Sequence, residues 1–110
     1  MIKCVHPWMH QVVTTDDKTM PCCMAHFSHD RVWKDEDYKP GLYNPARVKM
    51  REQMRNGEWP DICKVCKDAE DNNLTSYRII QNKKYPLADP IDYNQEKNLT
   101  LKYLDIKYTN

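Results

Sequence analysis

The sequence lacks most features of a membrane-bound or nucleic-acid-binding protein. None of its apolar runs approaches the roughly 20 residues that a bilayer-spanning helix needs. Its 17 Lys and Arg nearly balance its 16 Asp and Glu, and a net charge of +1 gives no electrostatic argument for nucleic-acid binding. The first residues, Met1-Ile2-Lys3-Cys4, do not read as a signal peptide. We therefore expect a cytoplasmic protein with no membrane partner.

Material for a large hydrophobic core is also scarce. Only 40% of the 110 residues are hydrophobic and 30% are charged, which predicts one small domain, with or without a tail. Such domains often depend on a metal or on disulfides for stability. Five cysteines in a cytoplasmic chain favour metal ligands over disulfides. The odd count fits four ligands and one spare.

Cys63-Lys64-Val65-Cys66 is the strongest motif, and it lies at the start of a predicted short helix. Two thiols three residues apart on one helical face can bind one metal ion or one iron–sulfur centre. They cannot complete a four-thiolate site by themselves. The missing ligands must come from the upstream cysteines, Cys4, Cys22 and Cys23.

A predicted β-hairpin brings the upstream ligands together. Residues 9–13 alternate as a strand does, residues 14–18 form an Asp-rich turn, and the chain returns as a second strand that ends at Pro21. This hairpin would place Cys4 beside Cys22 at its open end. We predict that one metal centre is held by the cysteine quartet, which we define as Cys4, Cys22, Cys63 and Cys66.

Downstream of the hairpin the pattern indicates two or three short helices. Asn44 is the expected N-cap of the first, Pro45 its first residue and Gly57 its stop. The second carries Cys63 and Cys66, and a third is expected over residues 74–81.

Residues 99–110 give the strongest strand signal in the chain. Their apolar side chains fall on both faces, which is typical of a strand covered on both sides, as in a parallel barrel. The predicted fold class is therefore α+β: a small metal-stapled domain with a two-stranded antiparallel hairpin and two or three short helices, ending in a lone strand.

These residues together resemble a known family. The pattern Cys4-x12-Asp17-x4-Cys22 resembles the Cys-x(9–15)-Gly-x4-Cys element of the SPASM and twitch domains of radical S-adenosylmethionine enzymes. Asp17 stands in place of the glycine of that element. Similarity to twitch-type members, several of them encoded by tailed phages, covers residues 3–82. Besides Cys63-x2-Cys66, it includes Cys23, Arg51, Met54, Gly57, Glu58, Glu70, Ser76, Tyr77, Arg78 and Asn82.

The resemblance implies one auxiliary [4Fe–4S] cluster bound by the cysteine quartet, because the later Cys-x5-Cys-x3-Cys half of a SPASM domain is absent. Residues 1–85 would form the cluster-binding domain and residues 86–98 a linker. Residues 99–110 would form the first strand of a radical S-adenosylmethionine barrel. The cations that could offset the negative charge of the cluster are Lys64, Lys67 and Arg78.

The implied function is to transfer electrons or anchor substrate for such an enzyme. The Cys-x3-Cys-x2-Cys loop that cleaves S-adenosylmethionine does not occur in this sequence, so we do not expect the chain alone to catalyse that reaction. The implied partner is a downstream or separate barrel that acts on an unidentified substrate, such as a peptide or protein.

A zinc site is the alternative, because on spacing alone four thiolates suit a structural zinc ion equally well. The chain would then be a zinc-stapled interaction module whose partner surface is the basic helix carrying Arg47, Lys49, Arg51 and Arg55. A second metal site could also be formed by Cys23, His26 and His29, although Cys23 is more simply a buried spare thiol.

Overall fold

The structure is a computed structural model that describes residues 1–13, 19–22, 39–85 and 91–106. The elements in chain order are α1 (His6–Met9), β1 (His10–Val13), β2 (Thr19–Met20), α2 (Pro45–Arg55), α3 (Lys64–Asp71), α4 (Tyr77–Lys84) and β3 (Tyr103–Ile106). A 3-10 turn, Asp61–Cys63, leads into α3. These elements form a small α+β domain, which confirms the predicted class. No helix in the described ranges combines the length and the apolar character that a membrane crossing requires.

A three-stranded mixed sheet stands where a two-stranded hairpin was predicted. β1 is the central strand: β2 pairs with it antiparallel, Val12 opposite Met20, and β3 pairs with it in parallel, His10 opposite Tyr103. The predicted lone terminal strand is therefore wrong. β2 covers only one edge of β1, and the other edge still carries N–H and C=O groups that need partners. β3 supplies them, while its side chains Leu104 and Ile106 remain half exposed.

The N-terminal segment differs from the expected extended lead-in to β1. Pro7 disfavours helical backbone at His6, yet His6–Met9 is a one-turn helix with proline in its first turn, where a missing N–H costs nothing. The carbonyls of His6 and His10 accept from Nη2 of Arg47, and that of Pro7 accepts from Nη1 of Arg51 at 2.9 Å. Both arginines are fully buried, so they lie beneath the surface and not on it.

α2 begins and ends where the sequence predicts. The side chain of Asn44 caps it by accepting a hydrogen bond from the N–H of Arg47 at 2.9 Å, and Pro45 is the first residue. The helix stops before Gly57, whose φ of +79° is the left-handed conformation that favours glycine. The buried face of α2 consists of Arg47, Met50, Arg51 and Met54.

The third predicted helix is shifted along the chain. α4 starts at Tyr77 and not near Leu74, because the hydroxyl of Ser76 accepts from the N–H of Ile79 and acts as the N-cap. In the expected linker, Glu96 bonds to the buried Arg51 at 2.6 Å, so this part of the chain packs against α2. Residues 86–90 lie outside the described ranges.

Candidate metal centre

The cysteine quartet lines one pocket, although its members come from three separate parts of the chain. Cys4 precedes α1, Cys22 follows β2, Cys63 ends the 3-10 turn and Cys66 lies in the first turn of α3. The pocket has a cavity volume of about 20 Å³. Its other lining residues are His6, Met54, Trp59, Ile62, Val65, Tyr77 and Arg78. All four cysteines are half buried and present as thiols.

The four thiols influence one another electrostatically. Burial raises the pKa of Cys63, and Cys22, Cys4 and Cys66 each raise it further. Burial likewise raises the pKa of Cys4, with Cys22 as the second cause. Four thiolates in one apolar pocket would repel each other, which favours the protonated form of Cys4, Cys63 and Cys66 in the metal-free chain. A bound metal cation would have to displace those protons, which couples metal binding to pH.

Backbone N–H groups point at two of the sulfurs. The N–H of His6 donates to Cys4, and the N–H groups of Tyr77 and Arg78 donate to Cys66. These three residues begin α1 and α4, where the first N–H groups of a helix have no intrahelical acceptor. N–H donors stabilise the thiolate form and tune the potential of iron–sulfur centres. The two helix starts therefore supply donors suited to bound thiolates.

Arg78 is the one predicted cation of the three that lines the pocket. Its Nε and Nη2 donate to the carboxylate of Glu70 at 2.9 and 2.6 Å, and the hydroxyl of Ser76 donates to the same carboxylate at 2.7 Å. This network joins α3 to the start of α4. Arg78 lowers the pKa of Cys4, and therefore favours its charged form.

The two predicted lysine cations lie elsewhere. Lys64 bonds to Asp68 and Lys67 to Asp71, each pair one turn apart on the exposed face of α3. Exposed pairs of this kind have little effect on stability. Neither lysine lines the quartet pocket.

Asn82 holds the backbone on both sides of Cys4. Its Oδ1 accepts from the N–H of Val5 at 3.0 Å, and its Nδ2 donates to the carbonyl of Lys3 at 2.8 Å. Nη1 of Arg78 donates to the same Lys3 carbonyl at 2.6 Å. α4 thus holds the backbone on both sides of Cys4 by hydrogen bonds, as a paired β-strand would. The resemblance included Asn82, but the sequence alone did not indicate this contact.

His6 links the two upstream cysteines. Its Nδ1 lies 3.1 Å from the carbonyl of Pro21, the residue before Cys22, and its Nε2 lies 3.0 Å from the side-chain amide of Gln81. Burial lowers the pKa of His6, so the ring is neutral. A neutral ring donates to Pro21 through Nδ1 and must accept at Nε2, which requires Gln81 to turn its NH₂ group towards it. Apart from the closeness of His6 to Cys4 along the chain, no feature of the sequence indicated this role.

Within the described ranges, no three His, Cys, Asp or Glu side chains form a group that could hold one metal ion. A tetrahedral zinc ion, with Zn–S bonds of about 2.3 Å, needs its sulfurs roughly 3.8 Å apart. In a [4Fe–4S] cluster each thiolate binds a different iron, so the sulfurs stay farther apart. The pocket, its thiols and its N–H donors fit such a cluster in chemical type.

The second candidate site cannot be compared with the structure. Cys23, His26 and His29 lie outside the described residues, as do the turn at residues 14–18 and the end of the chain from residue 107. No family model, no curated protein and no solved structure matches this chain.

Proposed function

We propose that this chain binds one auxiliary [4Fe–4S] cluster through Cys4, Cys22, Cys63 and Cys66 and serves a radical S-adenosylmethionine enzyme. The observation that carries the proposal is the shared pocket, which collects the quartet from sequence positions up to 62 residues apart, the interval from Cys4 to Cys66. The same pocket receives N–H donors from the starts of two helices, which would stabilise bound thiolates. The resemblance to twitch-type domains favours a cluster over a single zinc ion.

When bound, the cluster would supply one-electron chemistry or a coordination position for substrate. The chain's own residues would hold and tune it. Arg78 places a cation at the pocket wall, and Asn82 fixes the backbone around Cys4. Met54 and Ile62 keep part of the wall apolar, which limits access of water to the cluster and affects its potential.

The structure leaves less basic surface on α2 for the partner binding that the zinc alternative requires. Of the four basic residues on α2, Arg47 and Arg51 are buried, and Arg55 is tied to Glu96 at 3.2 Å. Lys49 is exposed. The basic face that this alternative requires is therefore much smaller than the sequence indicated.

Anaerobic reconstitution of the full chain tests the proposal. With ferrous iron and sulfide, we expect a brown protein with visible absorption and about four irons and four sulfides per chain. The matched control is the Cys66→Ser variant, which should bind substoichiometric iron. A colourless product that takes up one zinc ion per chain and no iron–sulfur cluster would favour the zinc alternative. No metal uptake at all would contradict both functions.

A further inference from the structure

Arg47 is a buried cation that has no carboxylate partner among the described residues. Its side chain is 1% exposed. Nη2 donates to the carbonyls of His6 and His10, but Nε and Nη1 have no hydrogen-bond partner in the part of the chain that the structure describes. Burying a charge is costly unless an opposite charge compensates it. Two neutral carbonyls satisfy part of the guanidinium group but do not balance its charge.

The neighbouring charges increase this imbalance. Arg51 lies one helical turn further along α2, is equally buried, and shares the single carboxylate of Glu96 with Arg55. Burial lowers the pKa of Arg47, Arg51 lowers it further, and the negative form of Cys22 opposes both. Within the described ranges, Cys22 is thus the member of the quartet that acts on Arg47.

Arg47 also lies behind the wall of the quartet pocket. It donates to the backbone carbonyl of His6 at 3.0 Å, and the side chain of His6 lines the pocket. The His6 ring bonds in turn to the carbonyl of Pro21, next to Cys22. On the same face of α2, Met54 lines the pocket directly, and Cys22 packs against the core cluster that contains Met50.

We propose that Arg47 is the buried counter-charge of the metal centre, balancing the negative charge that four metal-bound thiolates bring into the domain. Four thiolates and a doubly positive metal core leave a net charge of about −2. This inference rests on the proposed function and identifies a tuning residue that does not touch the metal. Arg47 should strengthen metal binding and, for an iron–sulfur cluster, should raise the reduction potential, because the reduced form carries one more negative charge.

The competing explanation is purely structural, since Arg47 also caps the carbonyls at the end of α1. Three variants of the full chain separate the two roles. Arg47→Met removes the charge and the hydrogen bonds, whereas Arg47→Lys keeps the charge and loses the planar fork that reaches two carbonyls. Lys49→Met is the matched control, because it removes the same charge from an exposed position of the same helix.

Two readouts are measured for each variant: zinc affinity by competition with a chelator, and the midpoint potential of the reconstituted cluster by dithionite titration. We expect Arg47→Met to bind zinc about 10- to 100-fold more weakly than wild type, the range typical of residues that act behind metal ligands. Its midpoint potential should fall. Lys49→Met should match wild type in both readouts, and Arg47→Lys should keep the wild-type potential.

Equal values for Arg47→Met and Lys49→Met would overturn the inference. A potential that falls as far in Arg47→Lys as in Arg47→Met would also overturn it, because the hydrogen bonds alone would then explain the effect. If Arg47→Met does not fold, Arg47→Lys decides: a wild-type potential despite lower thermal stability supports the counter-charge, and a lowered potential contradicts it. A wild-type chain that binds no metal would refute the proposed function itself, whereas normal binding in all variants would refute only the role of Arg47.

Discussion

Single side chains set the position of the candidate ligands. Cys4 lies in a segment without regular structure, and its backbone is held by Asn82 rather than by a strand. His6 then joins that segment to the residue before Cys22. The bond from His6 to Pro21 is buried and the bond from Val5 to Asn82 is partly buried, so losing either leaves polar groups without partners.

The Asn82→Ala variant tests whether these contacts hold Cys4 in place. The substitution removes two hydrogen bonds to the backbone around Cys4, which should lower the free energy of unfolding by about 1–3 kcal/mol. Metal affinity should fall with it, because Cys4 would no longer be held in place. Chemical denaturation and zinc competition measure the two effects. Asn56→Ala, at an exposed asparagine, is the control, and equal behaviour of both variants would contradict the role of Asn82.

The identity of the ligands is tested by three cysteine variants. Cys66→Ser should lose the metal and much of the fold, because binding and folding are coupled in such small domains. Cys23→Ala should keep its full metal content and cost only about 1–2 kcal/mol if the thiol is buried. Metal analysis of each purified variant shows which cysteines are needed for metal binding. If Cys22→Ala retained the metal and Cys23→Ala lost it, the assignment would be wrong by one residue.

His10 should make the domain sensitive to acid. Burial is the main cause that lowers its pKa to about 3, followed by His6, Arg47 and Lys84. An unfolded histidine titrates near pH 6.5, so below that pH the unfolded chain binds a proton that the folded chain does not. Stability should therefore fall by about 1 kcal/mol per pH unit between pH 6 and pH 4 on account of His10.

The comparison variant for this effect is His10→Phe, which keeps a ring beside Tyr103, whose own ring stacks 4.9 Å from that of His10. Urea unfolding at several pH values should give the variant a shallower loss of stability on acidification. If both proteins lost stability equally on acidification, His10 would be protonated in the folded chain at the same pH as in the unfolded chain.

At the scale of elements, β3 does not contribute to the pocket that the quartet lines. β3 pairs with β1 and its Tyr103 packs on His10, but no described residue beyond Arg78 lines the quartet pocket. The segment that the resemblance assigns to a barrel is thus the third strand of this sheet. Leu104 and Ile106 nevertheless remain half exposed on it.

Truncation after Asn98 separates these roles. We expect the shortened chain to keep its metal content, because every pocket residue is retained, and to be less stable, because β1 loses a strand partner and His10 becomes exposed. Metal analysis and thermal unfolding measure the two quantities. Loss of metal on truncation would mean that β3 is required to form the centre, and the proposed relation to a separate barrel would be weakened.

At the scale of the whole molecule, the core is small for the number of polar groups it contains. Nine hydrophobic residues and three prolines are buried among those described, and nine polar or charged residues are buried with them. Fully buried cations and histidines reduce the net gain from burial. A metal centre that joins segments from Cys4 to Cys66 would supply much of the missing stability.

Metal removal should therefore destabilise the entire domain and not only the pocket. A ligand present at about 1,000 times its dissociation constant stabilises the folded state by roughly 4 kcal/mol. We expect chelator-treated protein to unfold at a clearly lower temperature than the loaded protein, with loss of helical circular dichroism in one transition. Unfolding at the same temperature with and without metal would show that the fold does not depend on the centre.

Local chemistry in the sequence was sufficient to predict the limits of α2. Asn44, Pro45 and Gly57 act on their own backbone, so the limits of that helix follow from residue type alone. The Cys63-x2-Cys66 spacing likewise needs only the geometry of one helical turn. The α+β class followed from where such local patterns occur along the chain.

Tertiary structure decided what depends on distant neighbours. The sequence cannot state that the terminal strand pairs in parallel with β1, because the open edge that it covers is created by a fold built from residues about 90 positions earlier. Nor can it show that Arg47 and Arg51 are buried, since their acceptors are carbonyls of α1, a helix that the position of Pro7 argued against. Burial of a charge is a property of the assembled core, where the free energy depends on which partners the whole chain brings together.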